Sequence, residues 1–356
     1  MSIFLSEANQ NIVVYKAGEQ LGEDYLKLNA NESPYPPSPK IIEKLNSETI
    51  NNLRFYGDIT YHGIREKVAS KFDLTAENVS IGNGADDVLD LICRTFFKAG
   101  DALIFPNITY PFYQTYAKSM NYDYREVAVD DQLRINLDDY INCSAHCIIT
   151  NPNAPSGHYH PLEKIEAVVK SNPNRLVIVD EAYIDFGGTS VAPLVSEYQN
   201  LIVVQTFSKS RNLASGRFGL AIASPELIED MNNVRGAVNP YFMSGLQIAM
   251  AEASLDDEKY FKETKAKIIE TRDDFIKQLR ASDFIALDSA TNFALVKPRN
   301  KTAGDIYQEL KARKILVRYY DKPIIDQYLR ISIGRPNDMA VLLQALLEID
   351  TLAYAK

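Results

Sequence analysis

The sequence predicts an α/β fold: a mostly parallel sheet covered by helices on both faces, joined to a smaller α+β part. Three observations carry this. Short apolar, β-branched runs recur through residues 79–223 and alternate with stretches whose apolar residues fall at helical spacing. Residues capable of chemistry follow directly after those runs, at what would be one edge of the sheet. Past Pro240 the pattern changes to long, charged helices and then shorter strands.

Bulk properties narrow the function. The 356 residues suffice for one large domain with a smaller companion, and a hydrophobic content of 46% is enough for a sizeable core. A formal net charge of −9 argues against nucleic acid or an anionic membrane as the main partner. No signal-peptide pattern is found and no apolar run is long enough to span a bilayer, so the expected location is the cytoplasm. Cys93, Cys143 and Cys147 cannot close a disulfide framework. Cys143 and Cys147 lie with His146 at the entrance to an apolar strand, and they read as reduced thiols, with no metal expected.

Residues 1–29 hold no long periodic element. In LNANESPYPPSPKI (28–41), four prolines in six positions forbid a regular helix, leaving either a rigid linker or a loop that brings Asn29, Asn31 and Glu32 over a site. Ile64, Val68 and Phe72 mark a helical face, preceded by a turn at 55–58 that exposes Tyr56. The strand Val79–Ile81 runs into Gly82-Asn83-Gly84 and then a helix carrying Val88, Leu91, Ile92 and Phe96. A glycine turn into a helix N-terminus leaves backbone N–H groups and a partial positive charge, which suits a phosphate. The carboxylates of Asp86 and Asp87 would then cap the first turn while the backbone met the anion. The dinucleotide fingerprint Gly-x-Gly-x-x-Gly is absent because Asp87 stands at its third glycine, so a Rossmann oxidoreductase is disfavoured.

The later strands add one group each. Ala102–Phe105 leads to Tyr110, whose ring could stack on a flat ligand. Cys147–Thr150 ends in the stiff turn NPNAPSG (151–157), which contains Asn153. Leu176–Val179 ends at Asp180, and a carboxylate just after a buried strand demands a cationic or N–H-bearing partner. Leu201–Val204 gives out into TFSKS, placing Lys209 between hydroxyls, with Arg217 eight residues on and a second strand-like run at Phe218–Ala223. Helical stretches at 88–97, 110–121 and 161–171 separate these strands, so Gly84, Tyr110, Asn153, Asp180 and Lys209 converge on one edge. Beyond Pro240, residues 241–282 read as helical. Strands at Asn292–Val296, Ile315–Val317 and Leu329–Ile333 and helices at 302–313 and 337–349 follow. Arg330 sits in an apolar run and needs a counterion, either a substrate anion or a structural carboxylate.

A reactive lysine, a phosphate cradle, a stacking aromatic and a buried carboxylate together match pyridoxal 5′-phosphate (PLP), for which a lysine Schiff base and an acidic partner for the pyridinium nitrogen are the known signature. Asp180 would keep the ring nitrogen protonated, and Tyr183 would hydrogen-bond the phenolate oxygen. Lys209 would engage the aldehyde and later shuttle a proton. Thr206, Ser208 and Arg217 would hold the phosphate.

These residues lie in motifs that resemble those of fold-type I, class II aminotransferases, and within them the histidinol-phosphate aminotransferase family. The resemblance covers essentially the whole chain: LNANESP (28–34), RFYGD (54–58), GNGADD (82–87), TYPFY (109–113), NPNAPSG (151–157), DEAYIDF (180–186), TFSKSRNLASGRFG (206–219) and YLRISIGRP (328–336). It implies a large PLP-binding domain over 30–244 and a small domain built from 1–29 and 245–356. It further implies cofactor contacts from Gly84 and the backbone of Ala85 and Asp86, and a stacking role for Tyr110. Tyr56 would reach the cofactor phosphate of a neighbouring subunit, hence a homodimer. Tyr15, Asn31 and Arg330 would contact substrate, with Arg318 helping to hold its phosphate. The implied reaction converts L-histidinol phosphate and 2-oxoglutarate to imidazole acetol phosphate and L-glutamate, a step of histidine biosynthesis. One departure matters: where the family commonly places an asparagine against the phenolate oxygen, this chain has Ala154, leaving Asn153 or Tyr183 to serve it. Competing readings keep the cofactor. They are an aromatic aminotransferase, a threonine-phosphate decarboxylase, or a non-enzymatic PLP-binding domain, the last disfavoured because no length remains for a DNA-binding module.

Overall fold

The structure, a computed structural model, describes residues 2–5 and 18–351. The chain opens with the short strand β1 (Leu26–Lys27) and crosses the proline run, and α1 (Lys40–Lys44) begins directly after Pro39. Asn46 caps α2 (Ser47–Asn51) by accepting from Thr49 N, satisfying one of the first-turn donors. In α3 (His62–Ala69) the expected apolar face buries Ile64 and Val68.

The next stretch builds the main sheet. In order come β2 (Val79–Gly82), α4 (Ala85–Phe96), β3 (Ala102–Pro106), α5 (Phe112–Ser119), β4 (Asp123–Val127), β5 (His146–Thr150), α6 (Leu162–Ser171), β6 (Val177–Asp180), β7 (Leu201–Thr206), β8 (Gly219–Ala223) and α7 (Pro225–Val238). The seven strands lie in the order β2-β8-β7-β6-β5-β3-β4. All neighbours pair in parallel except β8, which runs antiparallel to both β7 and β2. Helices cover both faces, which explains why β6 and β7 read as continuous apolar runs without polar alternation. Two elements went unanticipated. β4 is an edge strand with the polar sequence DYREV, carrying little of the apolar signal of a central strand. α7 begins at Ser224-Pro225, and a proline at the first helical position was the available cue.

The expected helical run of 241–282 divides at Asp256-Asp257 into α8 (Gly245–Leu255) and α9 (Glu258–Ala281), the second capped by Asp257, which accepts from Tyr260 N. Then follow β9 (Ile285–Ala286), β10 (Phe293–Lys297), α10 (Ala303–Ala312), β11 (Ile315–Leu316), β12 (Arg318–Tyr319), β13 (Leu329–Ser332) and α11 (Pro336–Thr351). Residues 315–319 serve two sheets. β11 pairs in parallel with β1, and β12 joins the antiparallel order β12-β13-β10-β9. Phe275, Phe293, Ile306, Leu310, Ile331 and Leu346 form the core beneath α9, α10 and α11. Although α8 follows residue 244, its Ala251, Ala253 and Leu255 join the core of the seven-stranded sheet. Arg272 of α9 donates to the Phe186 and Thr291 carbonyls at 2.9 Å each, tying the segment that follows β6 to the smaller core.

Candidate active site

The carboxyl ends of β2, β3, β5, β6 and β7 open onto one cavity of about 210 Å³. Lys209, Asp180, Tyr183, Ala85, Asp86, Tyr110, Thr206, Ser208 and Arg217 line it, together with Ala30, Glu32, Thr150, Ala154, Ala182 and Ala214. Parallel strands ending side by side bring together groups that are more than a hundred residues apart in sequence.

Lys209 is held from both flanks. Ser208 N donates to Thr206 Oγ1, and Ser210 Oγ donates to Asp185 Oδ2 at 2.5 Å, tying the lysine turn to DEAYIDF. Its ammonium lies 5.7 Å from the Tyr183 ring centre and 3.5 Å from the Ala30 carbonyl, and among the described residues it forms no salt bridge. Burial, with the Arg330 charge second, pushes its pKa down to about 8, partly offset by Glu32 and Asp86. A neutral amine is therefore accessible near physiological pH, as attack on an aldehyde requires.

Asp180 is 3% exposed, and both oxygens are engaged: Tyr113 Oη donates to Oδ2 at 2.5 Å and Ala182 N to Oδ1 at 3.0 Å. Burial pushes its carboxyl up to about 6, against the lowering effect of these two donors. Tyr183 takes a hydrogen bond from Asn31 Nδ2 on its hydroxyl oxygen at 2.9 Å, which leaves its own proton to give.

The opposite end is the cradle. Gly84 has φ +86°, and a Cβ there would sit 2.3 Å from Arg217 Nη2; a Cβ on Gly219 would strike the Gly84 carbonyl carbon at 2.3 Å. Both glycines are required for loop, arginine and β8 to approach. The expected capping by Asp86 and Asp87 does not occur. Asp86 accepts from Tyr110 Oη at 2.8 Å and pairs with Arg217 at 3.5 Å, while Asp87 takes Asn83 N and a two-pronged ion pair from Arg235 at 2.7 and 2.9 Å. The first-turn amides of α4, which lack intrahelical acceptors, are thus left for a ligand. These features fit PLP: a helix N-terminus with a guanidinium for the phosphate, a buried carboxylate for a ring N–H, and a lysine with lowered pKa for an aldehyde.

Other expected residues stand elsewhere. Asn153 is fully buried; it gives Nδ2 to Ile108 O and Ser156 Oγ, and takes Thr109 Oγ1 on Oδ1. Asn153 does not line the cavity: its Nδ2 is spent on Ile108 O and Ser156 Oγ, and Ala154 lines the cavity in its place. Asn31 touches Tyr183 without lining the cavity. Arg330 donates to Tyr320 Oη and Asn29 O, and its Nε is buried with no partner among the described residues. Arg318 lies 5.1 Å from the Tyr320 ring centre. Tyr56 is 81% exposed and lies tilted against Tyr241, ring centres 4.2 Å apart, in a groove of about 780 Å³ that Lys209 does not line. Tyr15 falls outside the described residues. The sequence reading missed Tyr113 and Arg235. Both sit on helices at buried positions, and only their apolar surroundings signalled a need for partners.

Cys93, Cys143 and Cys147 are free, and burial pushes Cys93 up to about 12. Among the described residues no acidic, His or Cys cluster could hold a metal, and no helix is long and apolar enough to cross a membrane.

Comparison with known proteins extends this geometry. The model of the family "Aminotransferase class I and II" matches residues 23–346. Histidinol-phosphate aminotransferases of Clostridium beijerinckii and Chromohalobacter salexigens are each 40% identical, covering 97% of this chain and 97% and 99% of theirs. The crystal structure of histidinol-phosphate aminotransferase from Sinorhizobium meliloti in complex with pyridoxal-5′-phosphate superposes with a TM-score of 0.88 at 24% identity, covering 99% of both chains. The family model and these relatives place this chain, with the groups that line its strand-end cavity, in the class I and II aminotransferase family.

Proposed function

We propose that this chain is a PLP-dependent histidinol-phosphate aminotransferase, transferring the amino group of L-histidinol phosphate to 2-oxoglutarate to give imidazole acetol phosphate and L-glutamate in histidine biosynthesis. The observation that carries it is the placement of Lys209, Asp180 and the Gly84–Arg217 cradle around one cavity. The named relatives supply the substrate. When bound, PLP supplies an aldehyde for amino groups and a ring that withdraws electrons from the bond to be broken.

The chain's own residues do the rest. The first-turn amides of α4, Thr206, Ser208 and Arg217 bind the phosphate, and Tyr110 covers the ring. Asp180 holds the ring-nitrogen proton. Tyr183 donates to the phenolate oxygen, its orientation fixed by Asn31, and it acts alone there because Ala154 offers no donor. Lys209 is the amine that would hold the cofactor aldehyde, and once free it would carry the proton from the substrate Cα, a task for which its lowered pKa suits it. Arg330, with Asn31 and Tyr15, meets the substrate, and Arg318 helps hold the substrate phosphate. Two domains would enclose the site, and because the core residues of α8 join the larger sheet, the smaller domain begins with α9 and not at residue 245. The enzyme is cytoplasmic and homodimeric, with Tyr56 serving the partner's cofactor. The high exposure of Tyr56 and its place outside its own chain's cavity lining support that part.

The test is optical. PLP should give the purified protein a visible band that L-histidinol phosphate removes and 2-oxoglutarate restores. Because neutral Lys209 is the reactive form, the rate at which the band forms should rise about tenfold from pH 6 to pH 7 and level off above about 8. A band removed by L-phenylalanine but not by L-histidinol phosphate would transfer the chain to the aromatic group.

A further inference from the structure

Tyr113 belongs to none of the roles above, yet it gives Asp180 the shorter of the two hydrogen bonds its side chain accepts. The ring is fully buried on α5, packed edge-on near Tyr110 and Phe105, with centroids 5.8 and 6.0 Å away. Its hydroxyl makes two hydrogen bonds: to Asp180 Oδ2 at 2.5 Å and with Thr150 Oγ1 at 2.9 Å. Thr150 in turn lies 2.9 Å from Thr109 Oγ1, which also reaches Asn153 Oδ1 at 3.0 Å.

Proton counting orients this chain of hydroxyls. An ionised carboxylate can only accept, so Tyr113 must spend its single proton on Asp180. Its oxygen is then free to accept, and Thr150 donates to it. Thr109 has one proton for either Thr150 or Asn153. Every donor from Thr150 inward therefore points toward the carboxylate, and each bond polarises the next. A buried carboxylate without a cation in direct contact is costly, and short hydrogen bonds to the charged form are what can hold it ionised. The charged and titratable groups around it are Glu32 from the proline-rich loop, Asp86 from α4, Tyr110 beyond β3, Tyr113 from α5, Tyr183 just beyond β6, and Lys209 and Arg217 beyond β7. Of these, Tyr113 alone touches Asp180 through its side chain.

We propose that Tyr113 is a positioning residue: its hydroxyl, backed by Thr150, keeps Asp180 ionised and aims its open lone pairs into the cavity, so that the carboxylate is ready to hold a protonated ring nitrogen before any ligand arrives. The PLP reading is needed only for the second of two readouts below.

The first readout uses the full-length chain without cofactor. Carbon-13 carboxyl resonances of labelled aspartate, with Asp180 assigned through Asp180→Asn, give its titration midpoint in the parent, in Tyr113→Phe and in Thr150→Val. Tyr113→Phe removes one oxygen and no ring volume. The midpoint, about 6 in the parent, should move upward by about one pH unit in Tyr113→Phe and by roughly half as much in Thr150→Val. A merely structural tyrosine would lower the melting temperature and leave the midpoint unmoved, and that result overturns the proposal. Should Tyr113→Phe fail to fold, Thr150→Val decides alone: an unmoved midpoint is equally fatal. The second readout is PLP affinity against pH. With the midpoint raised, affinity should fall as pH drops through about 7 instead of about 6, a deficit of about fivefold at pH 6 relative to the parent. If neither protein binds PLP but the midpoint moves, the cofactor reading fails and Tyr113 keeps its role. If both bind PLP with the same pH profile and the same midpoint, the reverse holds.

Discussion

The two ends of the cavity hold their charges by opposite means. At the inner end, Asp180 is 3% exposed and is steadied by neutral donors, a tyrosine hydroxyl and a backbone amide. At the outer end, the side chains of Arg217 and Asp86 are 43% and 40% exposed and pair with each other at 3.5 Å. The inner arrangement is built in low dielectric, where each hydrogen bond is strong and no water competes. The outer one is wet, and an ion pair of that kind contributes little to stability. The inner end is therefore shaped in advance for a fixed contact, whereas the outer end carries a carboxylate that an incoming phosphate must outbid for Arg217.

If that contrast holds, then above the titration range of Asp180 changes at the inner end should be read chiefly in turnover and changes at the outer end in binding. The largest expected effect is at Asp180. Asp180→Asn preserves size and can still accept from Tyr113, but it cannot hold a protonated ring nitrogen as a counter-charge. Turnover of L-histidinol phosphate should fall roughly 10³-fold with the cavity intact. A loss below tenfold in single-turnover rate would break the comparison at its stronger side. Arg217→Gln comes next. It removes a charge-assisted donor from the cradle, and PLP affinity should fall about 10- to 100-fold with little change in the rate of the saturated enzyme. Equilibrium titration followed by turnover at saturating PLP separates the two, and a fall in saturated rate matching the fall in affinity would erase the distinction between the ends.

Much of this was legible in the chain because buried strands advertise themselves. VIVD and LIVVQT are apolar along their length, so their ends, and with them Asp180 and Lys209, could be placed from the sequence. Gly84 was legible for a similar reason, as a glycine between strand and helix. What was hidden depends on partners distant in sequence. The Asp87–Arg235 pair spans 148 positions, and nothing in either local segment points to the other. Tyr113 reads as one more aromatic in TYPFY, and its hydroxyl gains meaning only when β5 and β6 lie side by side, with Thr150 opposite Asp180. Asn153 shows the converse: it stands at the right edge, but its Nδ2 is given to Ile108 O after β3 and to Ser156 Oγ in its own turn, which the local sequence does not reveal.

The smallest effect concerns Asp86, and it bears most directly on the outer end. Its carboxylate accepts from Tyr110 and offsets the Arg217 charge, so removing the charge while keeping an acceptor isolates the second role. In Asp86→Asn the amide oxygen can still receive the Tyr110 hydroxyl, but Arg217 no longer has a competing anion beside it. Exposed pairs of this kind contribute only about 0.2–1 kcal/mol, so affinity for PLP should rise by no more than about two- to fivefold. The gain should shrink as salt is added, because screening weakens the competitor in the parent protein as well. Inorganic phosphate, which needs neither Lys209 nor Asp180, should show the same gain in a competition titration. If Asp86→Asn instead weakened both ligands, Asp86 would be organising the cradle and not occupying it, and the outer end would prove as prebuilt as the inner.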